Sequence, residues 1–456
     1  MTTPQEFVET ALATSSADGC VVLVEEHSET NLRWATNSLT TNGQMRSRTV
    51  TVISLFDKTG GTSAGVVSRS ITNEDELASL VRASEQAGRD ADPADDAAPL
   101  VENYAHADDW NADPATTDVA VLQDFAAGLG AEFRAWQGRD QLLFGFAEHH
   151  LTSTFLGTST GLRRRFDQPD GRIEINGKSR DYARSAYVGR HTNDFGDIDI
   201  AAVAAELDQR LGWAAKRIDL DAGRYETILP PMAVADLMVY AYWTASARDA
   251  DEGRNVYAGK LGSRLSQLPV RLFSDPAYPE LGCSPFVTAV SNFGGMTSIF
   301  DNGQQVAPVD WIRDGVLTDL ARPRAWAAKT GAQPRPLVEN LVLDAGGTAS
   351  VDELVARTER GLLLTCLWYI REVDPQTLLL TGLTRDGVYL VEDGSVRGAV
   401  TNFRFNESPI DLLGRATEAG RTEHAMSREW GDYFRRSAMP ALRIPDFNMS
   451  TVSQAS

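Results

Sequence analysis

Six clusters of turn-forming residues crowd the second half of the chain and restrict what it can fold into. They are Asn292-Phe293-Gly294-Gly295, Asp301-Asn302-Gly303, Arg313-Asp314-Gly315, Asp344-Ala345-Gly346-Gly347, Arg385-Asp386-Gly387 and Glu392-Asp393-Gly394. Asp-Gly and Asn-Gly pairs supply the positive φ angles that two-residue hairpin loops require, so long helices cannot run through them. The apolar runs between the clusters are short, and residues 223–450 are therefore predicted to form a β-rich domain of sandwich or barrel type. A helix over 350–360 interrupts the strands. The turn clusters follow no fixed period, which excludes a repeat array.

The first half mixes both periodicities. Phe7, Ala11 and Leu12 recur at helical spacing, predicting a helix over 4–14. Strands are predicted over 20–26, 32–38, 46–56 and 63–69, with turns at Asn42-Gly43 and Gly60-Gly61. Thr72, Asn73, Glu74, Asp75 and Glu76 read as a helix start, with carboxylates suited to the positive end of the helix. Residues 118–136 are helical in pattern, 142–158 and 161–188 read as strands, and 198–216 as an amphipathic helix. A further helix is expected over 232–248. The predicted class is α+β: an N-terminal α/β region followed by a β-rich C-terminal domain. Four segments are expected: an α/β unit over 1–88, an acidic linker over 89–117, a central α/β unit over 118–222, and the β-rich domain over 223–450.

Charge narrows the partners. With 43 Lys and Arg against 63 Asp and Glu, the net charge of −20 opposes binding to phosphate backbones. Arg163, Arg164 and Arg165 are a short basic run on an otherwise acidic chain, and a nucleic-acid role is not expected. The acidic run over 89–117 lacks the Gly and terminal Glu of a calcium loop. Cys20, Cys283 and Cys366 are widely spaced and form no CxxC pair, which fits a reducing compartment. The polar N-terminus has no basic leader, and no apolar run reaches membrane-span length, so a cytoplasmic protein is expected.

The sequence contains no P-loop, no GxGxxG after a strand, no GxSxG elbow and no HExxH. The histidines are His27, His106, His149, His150, His191 and His424. His149 and His150 would face opposite sides of a strand, so they cannot share an ion without distant help. Cys366 sits among apolar neighbours that raise a thiol's pKa, which suits a buried structural residue better than a nucleophile. Trp368, Tyr369 and Arg371 set aromatics beside an Arg, which can line a peptide groove or an interface, although core packing is the simpler account of Trp368.

Longer segments carry a family resemblance. RYETILPP (224–231), IFDNGQQVAPVDWIRDGVL (299–317), PLVENLVLDAGG (336–347), DELVARTERGLLLT (352–365) and TGLTRDGVYLVEDGSVRGAVTNFRFNES (381–408) resemble, in order, segments of the TldD/PmbA family, the modulators of DNA gyrase. RSRTVTVISLFDKTGGTSAGVVSRS (46–70) is a weaker match. In that family one subunit type carries a His-Glu-x-x-x-His helix after the Leu-x-Pro turn. Its two His hold zinc, its Glu is the general base, and a Cys near the C-terminus completes the site. Here Val239 and Thr244 stand at the His positions and Tyr240 at the Glu position. No His or Glu occurs between Glu226 and Glu252, and the segment 437–440 offers no Cys.

The resemblance therefore implies the TldE/PmbA-type subunit, with no metal or catalytic residue of its own. Its expected partner is a TldD-like, zinc-bearing homologue in a heterodimeric peptidase acting on unfolded or extended peptides. Candidate peptide-binding residues are Trp368, Tyr369 and Arg371, with Arg404 and Asn406 on the strand around 402–407. Two alternatives are a catalytically inactive peptide- or protein-binding module, homodimeric when alone, and a regulator associated with DNA gyrase.

Overall fold

The computed structural model describes residues 2–71, 73, 76–102 and 107–453. The N-terminal half contains α1 (Pro4–Thr14), β1 (Gly19–Ala35), β2 (Ser38–Lys58), β3 (Gly61–Ser70), α2 (Leu77–Asp90), α3 (Gln123–Gly138), β4 (Gln141–Thr158), β5 (Arg163–Ser179), β6 (Ser185–Thr192) and α4 (Ile200–Trp213). The six strands form one antiparallel sheet in the order β3-β2-β1-β4-β5-β6. The units predicted over 1–88 and 118–222 are thus joined edge to edge, through the pairing of β1 with β4.

All four helices cover one face of this sheet. Phe7, Val8 and Ala11 of α1 and Leu77, Leu80 and Val81 of α2 pack on Cys20, Val22 and Val24. Farther along the same face, α3 and α4 pack on Leu32, Trp34, Ile173 and Val188. The opposite face of β1 carries Val21 and Leu23, which meet Phe286 and Phe300 of the C-terminal half. Burial on both sides explains why residues 20–24 read as a continuous apolar run rather than an alternating one.

The predicted turn at Asn42-Gly43 is corrected. Both residues lie inside β2, opposite Leu32 and Asn31. The chain reverses instead at Thr36 and Asn37, whose φ angles are +52° and +61°. The Asn37 side chain supports that turn by donating to Gln141 O at 2.8 Å and accepting from Leu143 N at 2.6 Å. The two strands expected over 20–38 are therefore one. The Gly60-Gly61 turn stands as predicted. At the predicted helix start, Thr72, Glu74 and Asp75 lie outside the described residues, as does His106.

The acidic stretch holds little regular structure among its described residues, yet it is anchored. Trp110 is buried, Asp109 pairs with Arg165 at 2.7 Å, and Asp95 pairs with Arg248 at 2.7 Å.

The C-terminal half contains β7 (Arg217–Ile218), β8 (Gly223–Leu229), α5 (Pro231–Trp243), α6 (Ala247–Asp251), β9 (Arg271–Ser274), β10 (Val309–Arg313), β11 (Val316–Leu317), α7 (Arg324–Thr330), β12 (Leu341–Asp344), α8 (Val351–Ala356), β13 (Arg360–Leu364), β14 (Trp368–Asp374), β15 (Leu379–Leu383), β16 (Val388–Glu392), β17 (Ser395–Val400), β18 (Phe403–Glu407), α9 (Pro409–Arg415), β19 (Glu418–His424) and β20 (Ser437–Val452). The β-rich expectation holds. These strands make one 14-stranded mixed sheet, with β20 pairing to β12, β8, β18 and β19. Its main core gathers α5 with residues from β8, β9, β13, β15, β18 and β20.

The helix predicted over 232–248 is two helices. Thr244 terminates α5, and Ser246 caps α6 by accepting from Asp249 N at 3.2 Å.

Candidate functional site

Helix α5 occupies the position that the family resemblance assigns to the zinc-binding helix. Pro231 is its first residue, where a missing N–H costs nothing. The helix is apolar on nearly every side, and it is buried accordingly. Val239 is fully buried. Tyr240 is half-buried, with its ring 5.2 Å from that of Trp430. Thr244 Oγ1 donates to Ala241 O at 3.0 Å. These side chains pack and cap; a ring, an aliphatic chain and a capping hydroxyl occupy the three positions.

Asp236 is the one carboxylate on α5, and it is fully buried. Its Oδ1 accepts from Ser427 Oγ at 2.6 Å and from Glu429 N at 2.8 Å. Trp430 Nε1 donates to Asp236 O at 2.7 Å. The segment 427–430 is thereby pinned to the helix. Asp236 Oδ2 has no hydrogen-bond partner among the described residues. Burial, opposed by the two hydrogen bonds, pushes the carboxyl up to about 7.

The pinned segment projects two residues onto β14. Arg428 lies 3.5 Å above the Trp368 ring and 5.2 Å from that of Tyr187. Glu429 accepts from Tyr369 N at 3.0 Å and from Ile370 N at 3.1 Å, and Arg371 Nη1 lies 3.4 Å from it. Tyr369 has φ +52°, a left-handed conformation unusual for a bulky residue. Its amide bond to Glu429 supports that conformation, and its side chain is half exposed. Glu429→Ala is expected to release both amides to water. The expected cost is about 1 kcal/mol, with faster amide exchange at Tyr369 and Ile370. Unchanged exchange at both residues would show that the carboxylate does not hold the bulge.

The structure brings the five predicted binding residues onto one three-stranded patch. Trp368 pairs with Leu383, which pairs with Arg404. Arg371 pairs with Thr381, which pairs with Asn406. The strands differ in what they can offer. β18 lies between β15 and β20, so its backbone is engaged on both sides, whereas among the described residues β14 pairs with β15 alone. Trp368 is partly buried, packed with Tyr187, Met232 and Cys366. Burial raises the Cys366 thiol well above its ordinary range, in keeping with a structural role. Beside β14, Tyr240, Trp243 and Trp430 form an aromatic wall with the half-exposed Phe293.

Sequence reasoning missed Asp236, Arg428 and Glu429. Asp236 carried a signal, being a lone carboxylate in an apolar helix that must find partners once buried. It also missed a cluster on the N-terminal sheet. His27, Glu29 and His150 present one nitrogen or oxygen each within a shared space, the only such group of three among the described residues. His149 and His150 do face opposite sides. His149 is a satisfied core residue, bonded to Thr117 Oγ1 and Asn193 O at 2.7 Å each.

Comparison with known proteins places this architecture. Residues 222–451 match the family model described as the PmbA/TldA metallopeptidase C-terminal domain. TldE from Thermococcus kodakarensis superposes with a TM-score of 0.78 at 14% identity, over 97% of this chain and 99% of that one. A protein from Bacteroides thetaiotaomicron, described as a modulator of DNA gyrase, gives a TM-score of 0.78 at 13% identity, over 99% and 100% of the two chains. Its namesake from Thermotoga maritima gives 0.74 at 16%, over 97% and 99%. No curated protein matches the sequence. The family model covers half of the 456 residues, including α5, β14 and β20, and the chain belongs to the TldD/PmbA family.

Proposed function

We propose that this chain is a TldE-type subunit that holds an extended peptide for a zinc-bearing TldD-like partner, which performs the hydrolysis. The observation that carries the reading is the contrast between α5 and β14. Helix α5 offers Val239, Tyr240 and Thr244 where zinc ligands and a general base would stand, and none of the three suits zinc. Next to it, β14 has, among the described residues, a strand partner on one side only, Glu429 takes just two of its amides, and its side chains Tyr369, Arg371 and Val373 are exposed. An extended peptide can add to such an edge through backbone hydrogen bonds, with side chains seated against the aromatic wall. The full-length likeness to a TldE supports the subunit type. Among the described residues no helix is long and apolar enough to cross a membrane.

The test is peptidase activity on an unfolded protein substrate, using the chain alone, its TldD-like homologue alone, and the mixture. Hydrolysis that requires the mixture is the expected result. Equal hydrolysis by the homologue without this chain, or hydrolysis by this chain alone, would overturn the reading.

A further inference from the structure

The face of the N-terminal sheet opposite its helices is polar where β1, β4 and β5 cross beneath the segment 432–436. The β1–β4 register sets Glu29 against His150 and His27 against Thr152. The β4–β5 register sets His150 against Asp170 and Glu148 against Arg172. Side chains two apart on a strand share a face, so both His-Glu pairs point into the same space. A cavity of about 240 Å³ opens there, lined by His27, His150, Thr152, Asp170, Tyr433 and Arg435.

Three ligand atoms converge at its floor. His27 Nε2 lies 3.2 Å from His150 Nδ1, Glu29 Oε2 lies 3.9 Å from the first nitrogen, and it lies 3.8 Å from the second. A triangle with these sides has a circumradius of about 2.1 Å, the length of a zinc–nitrogen or zinc–oxygen bond. The outward atoms of His27 and Glu29 have hydrogen-bond partners, and that of His150 lies close to a carboxylate. His27 Nδ1 lies 3.1 Å from Thr152 Oγ1, and the tautomer that donates to this hydroxyl presents its Nε2 lone pair to the other two ligands. His150 Nε2 lies 3.2 Å from Glu148 Oε1, though off the line of a good hydrogen bond. Asn31 Nδ2 donates to Glu29 Oε1 at 2.8 Å. Outer partners of this kind fix the tautomer and orientation of metal ligands.

The electrostatics agree with the geometry. The ion-paired network around the cavity holds five carboxylates (Glu29, Glu148, Asp170, Glu174 and Asp432) against the guanidiniums of Arg172, Arg435 and Arg436. Two negative charges are left over with the imidazoles neutral.

We infer that His27, Glu29 and His150 form a binding site for one divalent transition-metal ion of the zinc type, between the N-terminal sheet and the segment 432–436. Two imidazoles and one carboxylate suit zinc and its first-row neighbours rather than magnesium or calcium. Three protein ligands leave a coordination position open toward the cavity. The site lies on β1 and β4, not on α5, and it stands whether or not the chain serves a peptidase.

The test uses the full chain, stripped with a chelator and titrated with cobalt(II), then zinc. Binding is followed by visible absorption and by calorimetry at pH 7.5. One cobalt per chain is expected, with ligand-field bands that zinc abolishes. His27→Gln and His150→Gln should each lose stoichiometric uptake, while His424→Gln, outside the cluster, keeps it. Thr152→Val retains all three ligands and should weaken binding about 10- to 100-fold, which tests the site even if a ligand variant fails to fold. Failure of the wild-type chain to take up an equivalent of either metal would overturn the inference and leave the two imidazoles sharing a proton. Undiminished uptake in folded His27→Gln and His150→Gln would overturn it too, by placing the metal elsewhere.

Discussion

Asp236→Asn is expected to stabilise the protein, and to do so more at pH 8 than at pH 5. Asp236 is fully buried on α5, and its folded-state pKa is raised from 3.8 to about 7. Such a group binds its proton more tightly folded than unfolded. Its contribution is fully present below the unfolded pKa and is lost as pH rises through the folded value. The wild-type chain should therefore lose stability between about pH 4 and pH 7. The full shift corresponds to roughly 4 kcal/mol, a few kcal/mol in practice. Asn keeps an acceptor for Ser427 Oγ and Glu429 N and carries no charge to bury. Urea unfolding at pH 5 and pH 8 measures the effect. An identical pH slope in the two proteins would mean that Asp236 is not the titrating group.

Gly65→Ala should be the more damaging change. Strand β3 meets α2 so closely at Gly65 that an added Cβ would lie 2.1 Å from Ser84 O and 2.3 Å from Gly88 N. Both are backbone atoms and cannot rotate away. Ser84 is locked at the same contact, with its Oγ 2.9 Å from Val52 O and 2.8 Å from Gly65 O. The helix must lift from the sheet, at an expected cost of about 3 kcal/mol or more. Gly130→Ala is the matched control. It lies inside α3 with open space where its Cβ would go, so it should stabilise by up to about 1 kcal/mol through helix propensity. A Gly65→Ala variant as stable as the wild type would show that the observed approach of helix to sheet is not rigid.

Legibility in the sequence tracked the range of the interaction. Helix α1 was visible because its apolar stripe, Phe7, Ala11 and Leu12, is local. Asp-Gly turns at positions such as Asp314 and Asp393 were visible because the residue type itself supplies the positive φ. The reversal at Thr36 and Asn37 was not, because its support comes from Gln141 and Leu143, over 100 residues away in sequence. Five binding candidates could be named from their segments, but which strand has an open side depends on the order β14-β15-β18-β20. The His27–His150 pair was hidden for the same reason, since only the β1–β4 register joins the two residues. One trace of it was present. His27 with Glu29, and Glu148 with His150, each repeat a two-residue spacing that puts a His and a Glu on one face of a strand.

The central place of β20 has a consequence for how the chain is made. Gly223 pairs with Met449, so β8 waits through 226 further residues before its neighbour exists. During synthesis, at a pace of roughly 5–20 residues per second, β8 has an unmet edge for about ten seconds or more and β12 for about five seconds or more. The N-terminal sheet closes by local hairpins and by β1 with β4, so it can form while that interval lasts. The nascent C-terminal half, by contrast, exposes α5 and the strands around it until residues 437–452 arrive, and this is the window in which a chaperone would be needed.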